Sequence, residues 1–92
     1  MQKILKVVKC GECFTVKSEK AEAGYLYKRA IVLQELGGRF ADQYVASLLG
    51  NDALCSFSEG EWVLASLRFQ VREYNGQTFQ DITVTEIGKI KF

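Results

Sequence analysis

Apolar and polar residues alternate with a period of two in the second half of the chain, which predicts β-strands. The clearest alternation covers residues 62–74, where the apolar positions are expected to face inward. These positions are Val63, Ala65, Leu67, Phe69 and Val71. The Asn75-Gly76 pair that follows is typical of a two-residue hairpin turn. It predicts a further strand over residues 77–87, with Ile82 and Val84 facing inward.

Three strands are predicted in the first half, over residues 3–16, 25–36 and 39–49. Gly11 lies inside the first of them and predicts a β-bulge, while Gly37-Gly38 predicts a tight turn between the second and third. In the third strand the inward positions are Tyr44, Ala46 and Leu48, and the outward ones are Gln43, Val45, Ser47 and Leu49. The main alternative is a helix over residues 40–54, because Ala, Gln and Leu favour helix. The strand is preferred because the Gly-Gly turn pairs it with the strand before it.

Two polar segments connect these strands. Residues 17–24 carry charges of both signs and predict a loop; a short helix is the alternative, but no apolar stripe would anchor it. Residues 50–57 predict a short helical turn capped by Asn51 or Asp52, with Leu54 and Phe57 directed towards the core. Three strands, a short helix and a final hairpin follow the OB-fold order. The sequence therefore predicts a single all-β domain over residues 1–92, a five-stranded Greek-key barrel with one short helix between strands 3 and 4.

The overall composition fits a small globular domain. The chain has 92 residues, of which 48% are hydrophobic and 25% are charged, so extensive disorder is not expected. Its apolar runs are too short to span a bilayer, and lysines interrupt the apolar residues at the start, so no signal peptide is expected. We therefore expect a cytoplasmic protein. The formal net charge is +1, which argues against a protein that binds purely by attracting phosphate.

The residues available for chemistry argue against an enzyme. The chain has no histidine, which excludes catalytic triads and histidine metal sites, and its carboxylates are scattered. Cys10 and Cys13 have CxxC spacing, but zinc needs four ligands and Cys55 supplies only a third thiolate. A thioredoxin-like motif needs a helix N-terminus, whereas this segment predicts a strand. We expect reduced thiols, without a bound metal, a cofactor or an intrachain disulfide.

Several segments of the second half resemble one protein superfamily. They are Leu49-Gly50-Asn51-Asp52, Ser58-Glu59-Gly60-Glu61-Trp62-Val63 and Arg72-Glu73-Tyr74-Asn75-Gly76-Gln77-Thr78-Phe79. In this order they resemble the single-stranded-DNA-binding (SSB) protein superfamily, and most closely its short bacterial SSB-like domains that lack the acidic C-terminal tail. The resemblance covers about two thirds of the chain, by pattern more than by identity. It implies an OB barrel that binds single-stranded nucleic acid. The sequence departs from the pattern at Leu49, where an outward tryptophan is frequent.

An OB-fold binds its ligand mainly on the second and third strands, where rings and cations occur together in this sequence. The expected main contacts are Tyr25, Tyr27, Lys28 and Arg29, flanked by Arg39, Arg72 and Tyr74. The rings would stack on bases and the cations would neutralise phosphates. The expected partner is single-stranded DNA or RNA. The alternative is an OB-fold module for protein interaction or scaffolding that binds no nucleic acid. The near-neutral charge and the absence of rings on the outward third strand favour that alternative.

Trp62 opens the fourth strand out of phase with the inward positions. An outward tryptophan is either a platform for base stacking or a contact between subunits. We expect a contact, because small β domains often gain stability by association. The sequence therefore predicts a homodimer or a higher homo-oligomer, through an exposed sheet edge or a patch that includes Trp62.

Overall fold

The computed structural model describes residues 2–19, 23–38 and 40–90. Its elements are β1 (Gln2–Lys17), β2 (Tyr25–Glu35), β3 (Gln43–Leu49), α1 (Asn51–Leu54), β4 (Trp62–Tyr74) and β5 (Gln77–Lys89). The strands form a closed barrel in the order β1-β2-β3-β5-β4, in which β3 and β5 are parallel and the other neighbours antiparallel. This confirms the predicted five-stranded barrel with one short helix between β3 and β4. The alternative of one helix over residues 40–54 is wrong, because residues 43–49 form β3.

β1 bends so that it can pair on both of its sides. Gln2–Lys6 pair with β4, and the strand from Leu5 to Lys17 pairs with β2. The β1–β2 register shifts between Cys10 and Cys13, which confirms the bulge predicted at Gly11. A Cβ on Gly11 would lie 3.1 Å from the carbonyl oxygen of Ala30. The absence of a side chain therefore lets the two strands approach closely at the bulge.

The barrel interior is filled by alternate residues of every strand. The buried apolar residues are Leu5, Val7, Ile31, Leu33, Ala46, Leu48, Ala53, Phe57, Val63, Ala65, Leu67 and Val84. Ile82 and Tyr44 are half-buried and pack against this core. These positions confirm the inward faces predicted for β3 and β5 and for the first part of β4.

The last part of β4 differs from the prediction. Phe69 and Val71 were expected inside, but they are 39% and 69% exposed. Among the described residues, the pairing of β1 with β4 ends at Ser66, whereas β4 continues to pair with β5 as far as Tyr74 and Gln77. The hairpin therefore projects beyond the barrel as a two-stranded arm, and the alternation of β4 continues where the barrel no longer covers it.

The turns explain two of the strand boundaries. Asn75 and Gly76 have φ of 51° and 77°, as a type I′ turn requires, so the predicted hairpin is confirmed. The Gly37-Gly38 turn is part of a longer loop than predicted, because β2 ends at Glu35 and β3 begins at Gln43. The amide of Glu35 donates to the carbonyl oxygen of Asp42 at 2.9 Å and closes this loop. β3 therefore starts four residues after the predicted position 39.

Helix α1 is a single turn that covers one end of the barrel. Ala53 is fully buried and Phe57, which follows the helix, is 6% exposed, so the expected burial of Phe57 is confirmed. Leu54 is 53% exposed, because Ala53 occupies the side of the turn that faces the core. The N-cap residue is Gly50, without a side-chain cap, so capping by Asn51 or Asp52 is also wrong. Within the described ranges, no helix has the length and apolar character needed to cross a bilayer.

Candidate nucleic-acid interface

Strand alternation divides the cluster of rings and cations predicted on β2. Tyr25, Tyr27 and Arg29 have the same parity as the buried Ile31, so they share its side of the strand. Lys28 has the opposite parity and lies on the outer surface of the barrel. The four residues are therefore neighbours in sequence but occupy two faces of the sheet.

Arg29 makes contacts inside the protein. Its Nε donates to the carbonyl oxygen of Ala53 at 2.8 Å, and its Nη1 donates to the carbonyl oxygen of Gly11 at 3.3 Å. The Cys10 thiol lies 3.8 Å from the same Nη1. This hydrogen bond with Cys10 is the main cause that raises the pKa of Arg29. The guanidinium thus joins the bulge of β1 to the end of α1.

Tyr25 and Tyr27 form a ring pair at the start of β2. Their centroids are 5.8 Å apart with an interplanar angle of 90°, an edge-to-face geometry that aromatic pairs favour. The hydrogen bond with Tyr25, and then the charge that Tyr25 carries when ionised, raise the pKa of Tyr27. Both rings remain partly exposed, so they are accessible on the face opposite to Lys28.

The outer face around Lys28 contains a shallow groove that crosses four strands. Lys28 lies between Phe14 of β1 and Leu49 of β3, which are its register partners. Phe14 is 50% exposed. The groove has a volume of about 230 Å³ and is lined by Lys28, Ser47, Leu49, Gln70, Arg72, Asp81 and Thr83. It therefore combines one apolar side chain with several hydrogen-bonding groups and three charged ones.

Arg72 lies at the end of the groove on the β4–β5 arm. Its guanidinium carbon is 4.9 Å from the ring centroid of Phe79, the residue directly opposite on β5. Its Nε donates to a carboxylate oxygen of Asp81 at 2.6 Å. Tyr74 follows on the same face of the arm and is 64% exposed. The arm thus presents a guanidinium, a ring beneath it and a second exposed ring.

The remaining predicted residues lie elsewhere. Arg39 is outside the described residues. Trp62 is on the outer face of the barrel opposite Lys6 of β1 and is 37% exposed. It borders a separate cavity of about 460 Å³, together with Leu36 and the loop that follows β2. The tryptophan is therefore on a different part of the surface from the groove at Lys28.

The cysteines do not form a common cluster. Cys10 and Cys13 are half-buried on β1, Cys55 is exposed after α1, and all three are free thiols. In the parts of the chain that the structure describes, no three Cys, Asp or Glu side chains are grouped to hold a metal ion.

Two residues of the groove region, Phe79 and Phe14, were not predicted from the sequence. The two-residue turn at Asn75-Gly76 fixes the hairpin register, so Phe79 was predictable as the partner of Arg72. Phe14 was not predictable in this way, because the bulge of β1 interrupts the register between Phe14 and the buried residues before it.

Comparison with protein-family models, curated proteins and solved structures gave no significant match to this chain. The fold is thus established by the strand order, whereas the resemblance to the SSB superfamily remains a hypothesis.

Proposed function

We propose that this protein binds single-stranded nucleic acid, and DNA in the first place, along the outer groove between β2, β3, β5 and β4. The observation that carries the proposal is the Arg72 guanidinium stacked over Phe79 at 4.9 Å, at one end of a groove that contains Lys28. Single-stranded nucleic acids are bound by this combination of ring faces for the bases and cations for the backbone.

Exposed rings occur at both ends of the groove. Phe14 is opposite Lys28 at one end, and Tyr74 lies beyond Arg72 at the other. Base stacking on such a ring contributes about 1–3 kcal/mol per base. Between them, the side chains of Ser47, Gln70 and Thr83 can hydrogen-bond to base edges or sugars. A strand that crosses the groove would therefore find stacking sites at its ends and polar contacts in the middle.

The charges of the groove favour weak binding. Lys28 and Arg72 supply positive charge, and Arg68 lies opposite Thr83 on the same face. Asp81 is bonded to Arg72 and offsets part of that charge. Each phosphate neutralised on a single strand contributes about −0.7 to the slope of log affinity against log salt. We expect a shallow slope that corresponds to two or three such contacts, about −1.4 to −2.1.

The alternative is that the same face binds a protein. Val45 is 69% exposed at the centre of β3, where a nucleic-acid site would gain from a ring. An apolar side chain in this position suits a protein partner as well as a base. Titration of a labelled oligo(dT) with the protein separates the two functions.

The test is the fluorescence anisotropy of a labelled oligo(dT), titrated with the protein at several salt concentrations. Lys28→Ala and Arg72→Ala should each weaken binding and reduce the magnitude of the salt slope by about 0.7. Tyr74→Ala should weaken binding by about tenfold and leave the slope unchanged, because a stacking contact releases no counterions. Repeating the titration with oligo(rU) compares RNA with DNA.

Two substitutions serve as matched controls. Tyr27→Ala removes a tyrosine ring from the opposite face, and Lys6→Ala removes a lysine from the part of β1 that pairs with β4; neither should change the affinity. If Tyr27→Ala weakens binding and Tyr74→Ala does not, the ligand lies on the face of the tyrosine pair. If the wild-type protein does not bind oligo(dT) or oligo(rU) at low salt, the proposal is wrong and the protein-interaction function replaces it.

A further inference from the structure

An apolar surface lies on the outer face of β1, β4 and β5, away from the groove. Its centre is a row of three register partners, Ile4, Leu64 and Gly88. Ile4 is 48% exposed and Leu64 is 40% exposed. Trp62 lies beside this row and is also partly exposed. Contiguous exposed apolar side chains on a sheet face are typical of an interaction surface.

The row has a projection on one side of Leu64 and a depression on the other. Gly88 has no side chain, and a Cβ built on it would meet no described atom within 4 Å. A surface cleft of about 350 Å³ lies here, bordered by Leu64, Glu86 and Ile90 among others. Ile4 forms the projection, one strand away from Leu64 on the opposite side. Neighbouring strands are about 4.8 Å apart, so the projection and the depression are equally distant from Leu64.

We propose that a second copy of this chain docks on the β1–β4–β5 face, with Ile4 of each copy inserted beside Gly88 of the other. A two-fold axis along β4 exchanges the two flanks of the row. It places Leu64 opposite Leu64 of the partner subunit and brings each isoleucine to the partner's glycine. Such an interface is isologous and closes as a dimer, and the two sheets pack face to face in an aligned manner.

The polar residues around the row fit the same arrangement. The row on one side contains Gln2 and Glu86 at its ends, and the two-fold axis brings the amide of Gln2 to the carboxylate of Glu86 in the partner subunit. The row on the other side contains Lys6, which is opposite Trp62. Ile90 belongs to the same row, because its amide donates to the carbonyl oxygen of Trp62 at 3.0 Å. The two-fold axis therefore places the aliphatic stem of Lys6 over Ile90 of the partner subunit. No pair of like charges is brought together by this rotation among the residues of these rows.

The first experiment measures association through the only tryptophan of the chain, Trp62. The axis runs along β4, so the indole is buried in the dimer. Sedimentation of the wild-type protein over a concentration series should give a monomer–dimer equilibrium. The tryptophan emission should shift to shorter wavelength over the same concentrations. A monomer mass at every concentration, or an emission maximum that does not follow the mass, would overturn the proposal.

The second experiment exchanges the projection and the depression. Ile4→Ala empties the cleft of the partner subunit, and Gly88→Ile fills it; each should raise the dissociation constant by at least tenfold. The double variant carries the isoleucine on the other flank and should return to within about threefold of the wild-type value. Gly88 does not have a positive φ, so a side chain there is not strained. Val45→Ala removes an exposed apolar side chain from β3, outside the β1–β4–β5 face. It should leave the dissociation constant of the dimer unchanged.

The outcomes of the exchange are decisive. If both single variants associate like the wild-type protein, the dimer uses another surface. If the double variant is as weak as the single ones, the isoleucine and the glycine do not meet. Circular dichroism identifies any variant that fails to fold, and Ile4→Lys, on an exposed side chain, then tests the same contact. None of these measurements involves nucleic acid, so they remain valid whether or not the groove binds it.

Discussion

Lys28 and Arg29 are adjacent on β2 but have different roles. Lys28 lies in the outer groove, while the Arg29 side chain lies on the side of the buried Ile31 and binds Ala53 and Gly11 through their carbonyl oxygens. The guanidinium therefore connects three elements that are distant in sequence. Its expected role as a contact to nucleic acid remains a prediction, whereas its contacts with Ala53 and Gly11 belong to the fold.

Replacement of Arg29 by alanine is expected to lower the free energy of unfolding by about 1–3 kcal/mol. The reason is the loss of two hydrogen bonds from a charged donor to part-buried carbonyl oxygens. Urea unfolding followed by circular dichroism measures the change. Lys28→Ala is the matched control and should stay within about 0.5 kcal/mol of the wild-type value. A stable Arg29→Ala variant that no longer binds oligo(dT) would show instead that Arg29 contacts the ligand.

The residue-level positions were partly predictable. The period of two through Ile31 and Leu33 is sufficient to place Arg29 on the inner side and Lys28 on the outer side. The contact of Arg29 with Ala53 was not predictable, because it depends on how the chain returns across the barrel end after β3. A sequence places a side chain on a face, but its partner from another element follows from the tertiary fold.

At the scale of the element, the β4–β5 arm projects beyond the barrel. Beyond Phe69 and Ile82 the two strands pair with each other in the described structure, and Val71 and Tyr74 are largely exposed. An isolated two-stranded hairpin is marginally stable in water. The geometry of Arg72 and Tyr74 therefore depends on the turn at Asn75-Gly76 and on the pairs across the arm.

The substitution Gly76→Ala tests this dependence. Gly76 has a φ of 77°, and an L-residue in this conformation costs roughly 1–2 kcal/mol. Because the arm lies outside the core, we expect it to fray, with faster hydrogen exchange in residues 70–80 and oligo(dT) affinity reduced about threefold or more. The unfolding midpoint of the barrel should change little. Gly60→Ala is the control: its φ is 87°, but it lies in the turn before β4, so it should affect stability and not binding.

The arm also marks the limit of the period-two pattern. The bounds of β4 agree with the prediction, since the structure has Trp62–Tyr74. The inward face is right for Val63, Ala65 and Leu67 and wrong for Phe69 and Val71. Alternation predicts that these side chains share one face of a strand. It does not predict where the neighbouring strand ends, and that end decides whether the face is covered.

For the molecule as a whole, the decisive feature is the closure of the barrel. The order of the elements predicted the fold class, because the antiparallel pairs of consecutive strands follow from the short connections between them. The parallel pairing of β3 with β5 has no such local signal. In the described structure it joins Ser47 and Leu48 to Thr83 and Val84. This seam depends on the twist of the sheet and on the packing of the core, so its register was not available from the sequence.

Leu48 is a core residue of this seam and provides a test of the closure. It is fully buried and pairs with Arg29 on β2 and with Val84 on β5. Leu48→Ala should lower the free energy of unfolding by about 2–5 kcal/mol. A domain of this length has a total stability of roughly 5–14 kcal/mol, so the variant is close to unfolding if the wild-type protein lies at the lower end of this range. Val45→Ala, on the same strand but 69% exposed, should change it by less than about 0.5 kcal/mol.

The effect of Leu48→Ala is also expected to reach β5 through the seam. Backbone amides of residues 83–85 should exchange with deuterium faster than in the wild-type protein, and by a larger factor than those where β1 pairs with β2. The reason is that β3 pairs with β5 over a much shorter stretch than β1 pairs with β2. If exchange accelerates equally in all strands, the barrel opens as one unit and the seam is not its weakest part. If Leu48→Ala is as stable as Val45→Ala, the inward position of Leu48 and the closure built on it are wrong.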